Sequence, residues 1–275
     1  MSKFPGNIEA TLVLCVSVVS AGLLLFPFLG VDNAWIPGAG LLVGGLILGI
    51  AIFRRTYFVV HLALFFLLLF GWKESPFWPA DLPTGLLPPF LSYLAVVLAV
   101  PPLRKTITWY RWGRRTGTPL LAALLILAFS LPALYLWTIY SDNAVEYYVY
   151  LFHPKIFYIE LVIFALLFAT INALTQEVIF RGVYQDALSL SFRNEWVAIL
   201  LQALVFGLIH IEGIPSGLSG VIMAFSYGTV LGVLRRLSGG LLLPVAIHFV
   251  TDLFIFYLVF YKAWLLGLFD TFPFL

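Results

Sequence analysis

The residues of this chain whose types and spacing could do chemistry fall in three short stretches: Gln176-Glu177 with Arg181, His210, and His248 with Asp252. Glu177 and Arg181 are four apart, in the favoured order for a helical ion pair, with the acid on the N-terminal side. His248 and Asp252 have the same spacing, so the carboxylate can face and orient the imidazole. Phe206 lies one turn before His210 and shares its helix face. Two imidazoles, a carboxamide and carboxylates can hold and activate a water, polarise a carbonyl, relay protons or bind a metal. Which of these applies depends on whether the stretches meet.

The elements that must bring them together are membrane helices. Of 275 residues, 62% are hydrophobic and only 10% charged, with mean hydropathy +1.05. An average soluble domain carries roughly a quarter charged residues, so a water-soluble globule, a disordered chain and a nucleic-acid binder are excluded. The formal charge of +2 agrees. The single cysteine, Cys15, leaves no disulfide framework or cysteine metal cluster, and reads as a small hydrophobe. Apolar runs predict an all-α polytopic bundle of about nine spans, near 10–29, 36–53, 56–72, 86–103, 118–139, 156–178, 196–212, 217–234 and 241–261. With the N-terminus inside, the inner loops receive Lys3, Arg54, Arg55, Arg104, Lys105, Arg111, Arg114, Arg115, Arg181, Arg193, Arg235 and Arg236. The outer side receives only Lys73, Lys155 and Lys262. That asymmetry orients the N-terminus in and the C-terminus out. The expected protein is a multi-pass integral membrane protein, in the plasma (inner) membrane if its host is bacterial.

Depth then links the stretches. Residues 156–190 lack proline and read as one helix ending at the polar turn Ser191–Glu195. Gln176 lies ~22 Å along the axis from that turn and His210 ~21 Å along the next helix, at 1.5 Å per residue. His248 is compatible with the same level. Ionisable groups inside a bilayer cost several kcal/mol unless paired or facing a wet cavity, so a shared layer points to a site. Asp186 and Glu160 also fall inside this helix, and Glu160 is close enough to its end to reach the interface. Other acids, including Glu9, Asp32, Glu74, Asp81, Asp142, Glu146, Glu195, Glu212 and Asp270, sit in loops or at span ends. His61 stands alone in an apolar span and reads as structural; His153, beside Pro154, reads as a loop residue. Gly40-x-x-x-Gly44 and Gly45-x-x-x-Gly49 are expected to let helices approach closely. Arg104 to Arg115, with Trp109, Tyr110 and Trp112 interleaved, reads as an inner loop at headgroup level. The organisation expected is 1–155 as N-terminal helices of unassigned role, 156–262 as a helical core that carries the polar layer, and 263–275 as a tail.

Gln176-Glu177-x-x-x-Arg181, Phe206-x-x-x-His210 and His248-x-x-x-Asp252 resemble the CPBP family of intramembrane proteases, which includes the CAAX-prenyl proteases, the bacteriocin-processing enzymes and the Ras-converting-enzyme-like proteins. The resemblance covers roughly 156–262. It implies hydrolysis of a peptide bond in a prenylated or membrane-tethered protein or peptide, within the lipid bilayer, by a water that position 176 and His210 activate. His248 and Asp252 would then face the substrate carbonyl, and Glu177 with Arg181 would support the helix. The family has glutamate where this chain has Gln176, and an amide cannot accept the proton of water. Three explanations stay open: an introduced glutamate-to-glutamine change, a natural variant in which Glu177 or His210 is the base, or a binding protein that does not cleave. No cofactor is expected; zinc on the two histidines and a carboxylate is the less favoured alternative, since no His-Glu-x-x-His pair occurs. Two other functions compete with proteolysis. One is an inactive membrane scaffold or immunity protein of the same fold. The other is a transporter using Glu177, Asp186 and the histidines as a proton relay, although no inverted repeat is visible.

Overall fold

The computed structural model describes residues 7–28, 30, 35–77, 85–141, 158–192, 194–211 and 213–265. Lys3, Asp32, Asp81, Asp142, Glu146, His153, Lys155, Arg193, Glu212, Asp270 and the tail beyond 265 lie outside the described residues. Among the described residues there is helix and no strand. The helices are α1 (Asn7–Phe28), α2 (Trp35–Phe53), α3 (Tyr57–Lys73), α4 (Leu87–Ala99), α5 (Pro101–Arg104), α6 (Thr118–Tyr140) and α7 (Tyr158–Glu177). A π-helical stretch, Val178–Tyr184, joins α7 to α8 (Gln185–Ser191). Then come α9 (Glu195–Leu208) with a 3-10 turn at Ile209–Ile211, α10 (Gly217–Ser238) and α11 (Leu242–Leu265).

Among the described residues, five helical stretches are long and apolar enough to cross a membrane: Trp35–Phe53, Thr118–Tyr140, Glu160–Ser191, Gly217–Ser238 and Leu242–Ala263. The other four apolar runs give shorter helical stretches, Ile8–Leu24 within α1, Tyr57–Lys73, Leu87–Ala99 and Glu195–Ile211. Proline explains the shortest: Val100 is extended ahead of Pro101-Pro102, so the expected fourth span breaks into α4 and α5. Asn194 caps α9, its side-chain oxygen accepting the Trp196 N–H at 3.0 Å. Gly239, at φ +71°, ends α10 in the left-handed conformation that glycine tolerates.

The expected long helix over 156–190 is continuous from Tyr158 to Ser191, but one part is π-wound. A wider turn changes which face later residues present, and π segments cluster at functional sites. This one carries Arg181, fully buried. Around it α7 packs on α11, α9 on α10, and α6 on α11. The N-terminal helices share one apolar cluster with it: Val13, Val16, Val59, Phe66 and Tyr93 pack with Ile179, Phe180, Val183 and Leu188.

Two expectations about the N-terminal half need correction. His61 is not alone. Its Nδ1 is 2.7 Å from Tyr93 Oη and its Nε2 3.0 Å from Thr106 Oγ1. Because the Thr106 hydroxyl donates to the Leu103 carbonyl at 2.8 Å, it accepts from Nε2–H, and Nδ1 accepts from Tyr93. A neutral imidazole thus ties α3, α4 and the turn after α5. The paired glycines also divide. A Cβ on Gly40 or Gly44 would come 2.7 Å from Leu23 or Phe66, whereas Gly45 and Gly49 face open space. Only the first pair serves close helix packing.

The stretch after α5 is clamped beneath the core. Leu241 N–H donates to Arg111 O at 2.9 Å and Arg114 N–H to Ser238 O at 2.7 Å. Gly113, at φ +79°, lets the two backbone segments touch; a Cβ there would lie 2.6 Å from Gly240 N. Thr108 donates to Asp186, and Arg235 lies 3.7 Å from the same carboxylate. Asp186 therefore anchors this clamp.

Candidate active site

Gln176 and Glu177 are the last residues of α7, and the bond between Glu177 and His248 puts them beside α11, a level with which the sequence position of His248 was compatible. Glu177 Oε1 accepts from Arg181 Nη1 at 2.8 Å and from His248 Nδ1 at 2.7 Å. The pair with Arg181 is fully buried, and the sequence spacing anticipated it; the bond to His248, 71 residues away, it did not. Arg181 Nη2 also donates to Gly228 O at 3.3 Å, and the guanidinium lies 4.4 Å over the Phe206 ring. Phe206 supports His210 as well, with ring centroids 4.8 Å apart. This explains why Phe206 precedes His210 by one turn: it fills the space between the cation and the imidazole.

His248 Nε2 is 3.6 Å from Asp252 Oδ1, which is an ion-pair distance rather than a hydrogen bond. The ring is thus flanked by two carboxylates, Glu177 behind it and Asp252 in front. Asp252 Oδ2 accepts from Asn172 Nδ2 at 3.1 Å, and Asn172 Oδ1 accepts from Gln176 Nε2 at 2.8 Å. Asn172 was missed in the sequence reading. The available signal was its own spacing, four residues before Gln176 in an otherwise apolar helix. Gln176 Oε1 is buried with no side-chain or backbone partner among the described residues.

His210 is joined to the same place by shape. Its Nδ1–H donates to the Phe206 carbonyl at 2.9 Å, which leaves Nε2 as the nitrogen with a free lone pair. Gln176, Phe206, His210, His248 and Asp252 all line one cavity of about 880 Å³, together with Asn172, Tyr227 and Thr251. Glu177 and Arg181 do not line it; they sit behind its wall. Beyond the polar end, Phe129, Phe164, Phe168 and Phe256 make the wall apolar, and Lys73 lies among the lining residues. Asp186, which a transporter relay would need, does not line the cavity. Neither does any residue of the clamp at 111–114.

The arrangement suits hydrolysis. A water could hydrogen-bond to an amide oxygen and a free imidazole nitrogen, next to an imidazole braced by a fixed carboxylate and able to stabilise developing negative charge. Among the described residues no group of three or more His, Cys, Asp or Glu side chains is placed to hold a metal ion.

Comparison with known proteins agrees with this arrangement. No curated protein and no solved structure matches the chain. A family model described as type II CAAX prenyl endopeptidase Rce1-like matches residues 158–254. Those limits enclose Asn172, Gln176, Glu177, Arg181, Phe206, His210, His248 and Asp252, so the helical segment that builds the cavity is similar to the Rce1-like type II CAAX prenyl endopeptidases, a family of membrane proteases.

Proposed function

We propose that this protein is an intramembrane endopeptidase that hydrolyses a peptide bond near the membrane-associated end of a prenylated or membrane-tethered protein or peptide. The observation that carries the reading is the convergence of Gln176, His210, His248 and Asp252, from three separate stretches, on one cavity with an apolar extension. The extension suits a lipid-bearing or hydrophobic substrate segment, and the polar end suits the scissile amide. Water is held by Gln176 Oε1 and His210 Nε2. His248, fixed through Nδ1 by Glu177, presents Nε2–H as an imidazolium to the carbonyl oxygen. Exclusion of bulk water from the bundle strengthens each of these interactions. Activation is by side chains without a metal ion. The protein lies in the plasma (inner) membrane if its host is bacterial, with nine spans and the N-terminus inside.

The test is cleavage of quenched, prenylated or acyl-tethered peptides by the full chain in liposomes. Cleavage that His210→Ala abolishes, and that a chelator leaves intact, is the expected outcome. Loss on chelation with recovery on added zinc would replace the metal-free chemistry. A second reading, a scaffold or immunity protein that binds without cleaving, is favoured specifically by the amide at Gln176. It takes over if the chain binds such peptides and never cuts them.

A further inference from the structure

The side chain that removes the proton from the water is left open by Gln176, whose amide cannot do it. Glu177 is the nearest carboxylate in sequence, but it is fully buried, engaged by Arg181 and His248, and absent from the cavity wall. Among the described residues that line the cavity, Asp252 is the one carboxylate. It is linked to Gln176 through a single side chain: Gln176 Nε2 donates to Asn172 Oδ1 and Asn172 Nδ2 donates to Asp252 Oδ2. Those bonds run in one direction, each amide giving its N–H toward the acid. Asn172 thereby fixes Oδ2 and leaves Oδ1 on the His248 side, 3.6 Å from Nε2. An acid and an amide thus face one another across Asn172. Exchanging them would keep one carboxylate and one amide in the cavity.

We propose that Asp252 is the general base of this enzyme, at the polar end of the cavity and one asparagine side chain away from position 176. This rests on the proteolytic reading of the cavity. Asp252 takes one proton from the water as its oxygen bonds to the carbonyl carbon, and the carbonyl electrons move to oxygen, where His248 Nε2–H meets the oxyanion. The tetrahedral intermediate collapses as the carbon–nitrogen bond breaks and the proton from Asp252 passes to the departing nitrogen. The products are a carboxylic acid and an amine, and Asp252 is again a carboxylate. Gln176 donates its N–H to Asn172, a positioning role; as the water reacts, the hydrogen that Gln176 Oε1 accepted passes to Asp252 while His210 Nε2 keeps the other.

A four-way comparison tests it: the parent chain, Asp252→Asn, Gln176→Glu and the exchanged double variant, in liposomes with a prenylated, internally quenched peptide. Thermal unfolding in detergent checks that each variant is folded. Asp252→Asn is expected to lower kcat by ~10²-fold or more, the usual size of a general-base contribution, with KM little changed. The exchanged variant is expected to exceed Asp252→Asn by ~10²-fold or more, the size of the contribution that a restored base makes. A folded Asp252→Asn protein that cleaves like the parent overturns the assignment. So does an exchanged variant no better than Asp252→Asn alone, or a silent parent that Gln176→Glu makes active; the first two leave the protease reading standing, and the third turns the parent chain over to the non-cleaving reading. If no variant cleaves a peptide that an Rce1-like enzyme cleaves, the protease reading fails and the assignment with it.

Discussion

At the scale of single residues, the site is organised around one buried carboxylate that never touches the cavity. Glu177 binds Arg181 and His248 through the same oxygen. Removing one partner of a buried pair leaves an uncompensated charge, at a cost of about 3–5 kcal/mol. Arg181→Met is therefore expected to destabilise by about that amount, read as a drop in the detergent melting temperature. Glu177→Gln keeps the volume but loses the anion that fixes His248. It is expected to lower kcat by more than it raises KM. Asn172→Leu removes the link between Gln176 and Asp252 and should lower activity while leaving the melting temperature within a few degrees. The i, i+4 pairs were legible in the sequence because helix geometry alone sets them. The bond from Glu177 to His248 was not, because it depends on how two helices distant in the chain face each other. The apparent isolation of His61 failed for the same reason: both of its partners, Tyr93 and Thr106, lie more than thirty residues away.

At the scale of elements, the π-wound stretch is held from below. A Cβ on Gly182 would lie 2.5 Å from Trp109 Cβ, so the clamp stretch and the π stretch touch where only glycine fits. Gly182→Ala is expected to cost about 1–3 kcal/mol through overpacking, and Trp109→Gly, which removes the opposing atom, should lessen that penalty in the double variant. In α2, Gly44→Ala meets the Phe66 ring while Gly45→Ala meets nothing. Melting temperatures should fall for the first and hold for the second. The sequence showed both glycine pairs as equivalent, since spacing describes a face and not its neighbour. Helix positions were readable from apolar runs and proline, and even the break in the fourth span was marked by Pro101-Pro102. The change to π winding left no sign in composition.

At the scale of the whole molecule, the two halves act as one body. Apolar side chains of α1, α3 and α4 pack directly on the stretch that carries Arg181, so a fragment beginning at residue 156 is expected to lose cooperative unfolding and activity together. The charge asymmetry adds a topological prediction. In a chain with Cys15 replaced by serine, single cysteines at Arg115 and at Ser75 should react with an impermeant maleimide from opposite sides of the membrane, Arg115 from the inner one. The reverse pattern would turn the bundle over without altering the site. The family match at 158–254 covers the cavity's polar end; residues such as Leu69, Leu125 and Phe129, from earlier helices, add to its apolar wall.

The backbone pairing of 111–114 with 238–242 carries a consequence for traffic. It stoppers the arginine-rich end of the bundle next to the bend that bears Arg181, and none of its residues lines the chamber. A chamber stoppered there behaves as a blind alley on that side. Under the proposed cleavage, the severed pieces then leave by a route other than that end, since no residue of the pairing borders the chamber.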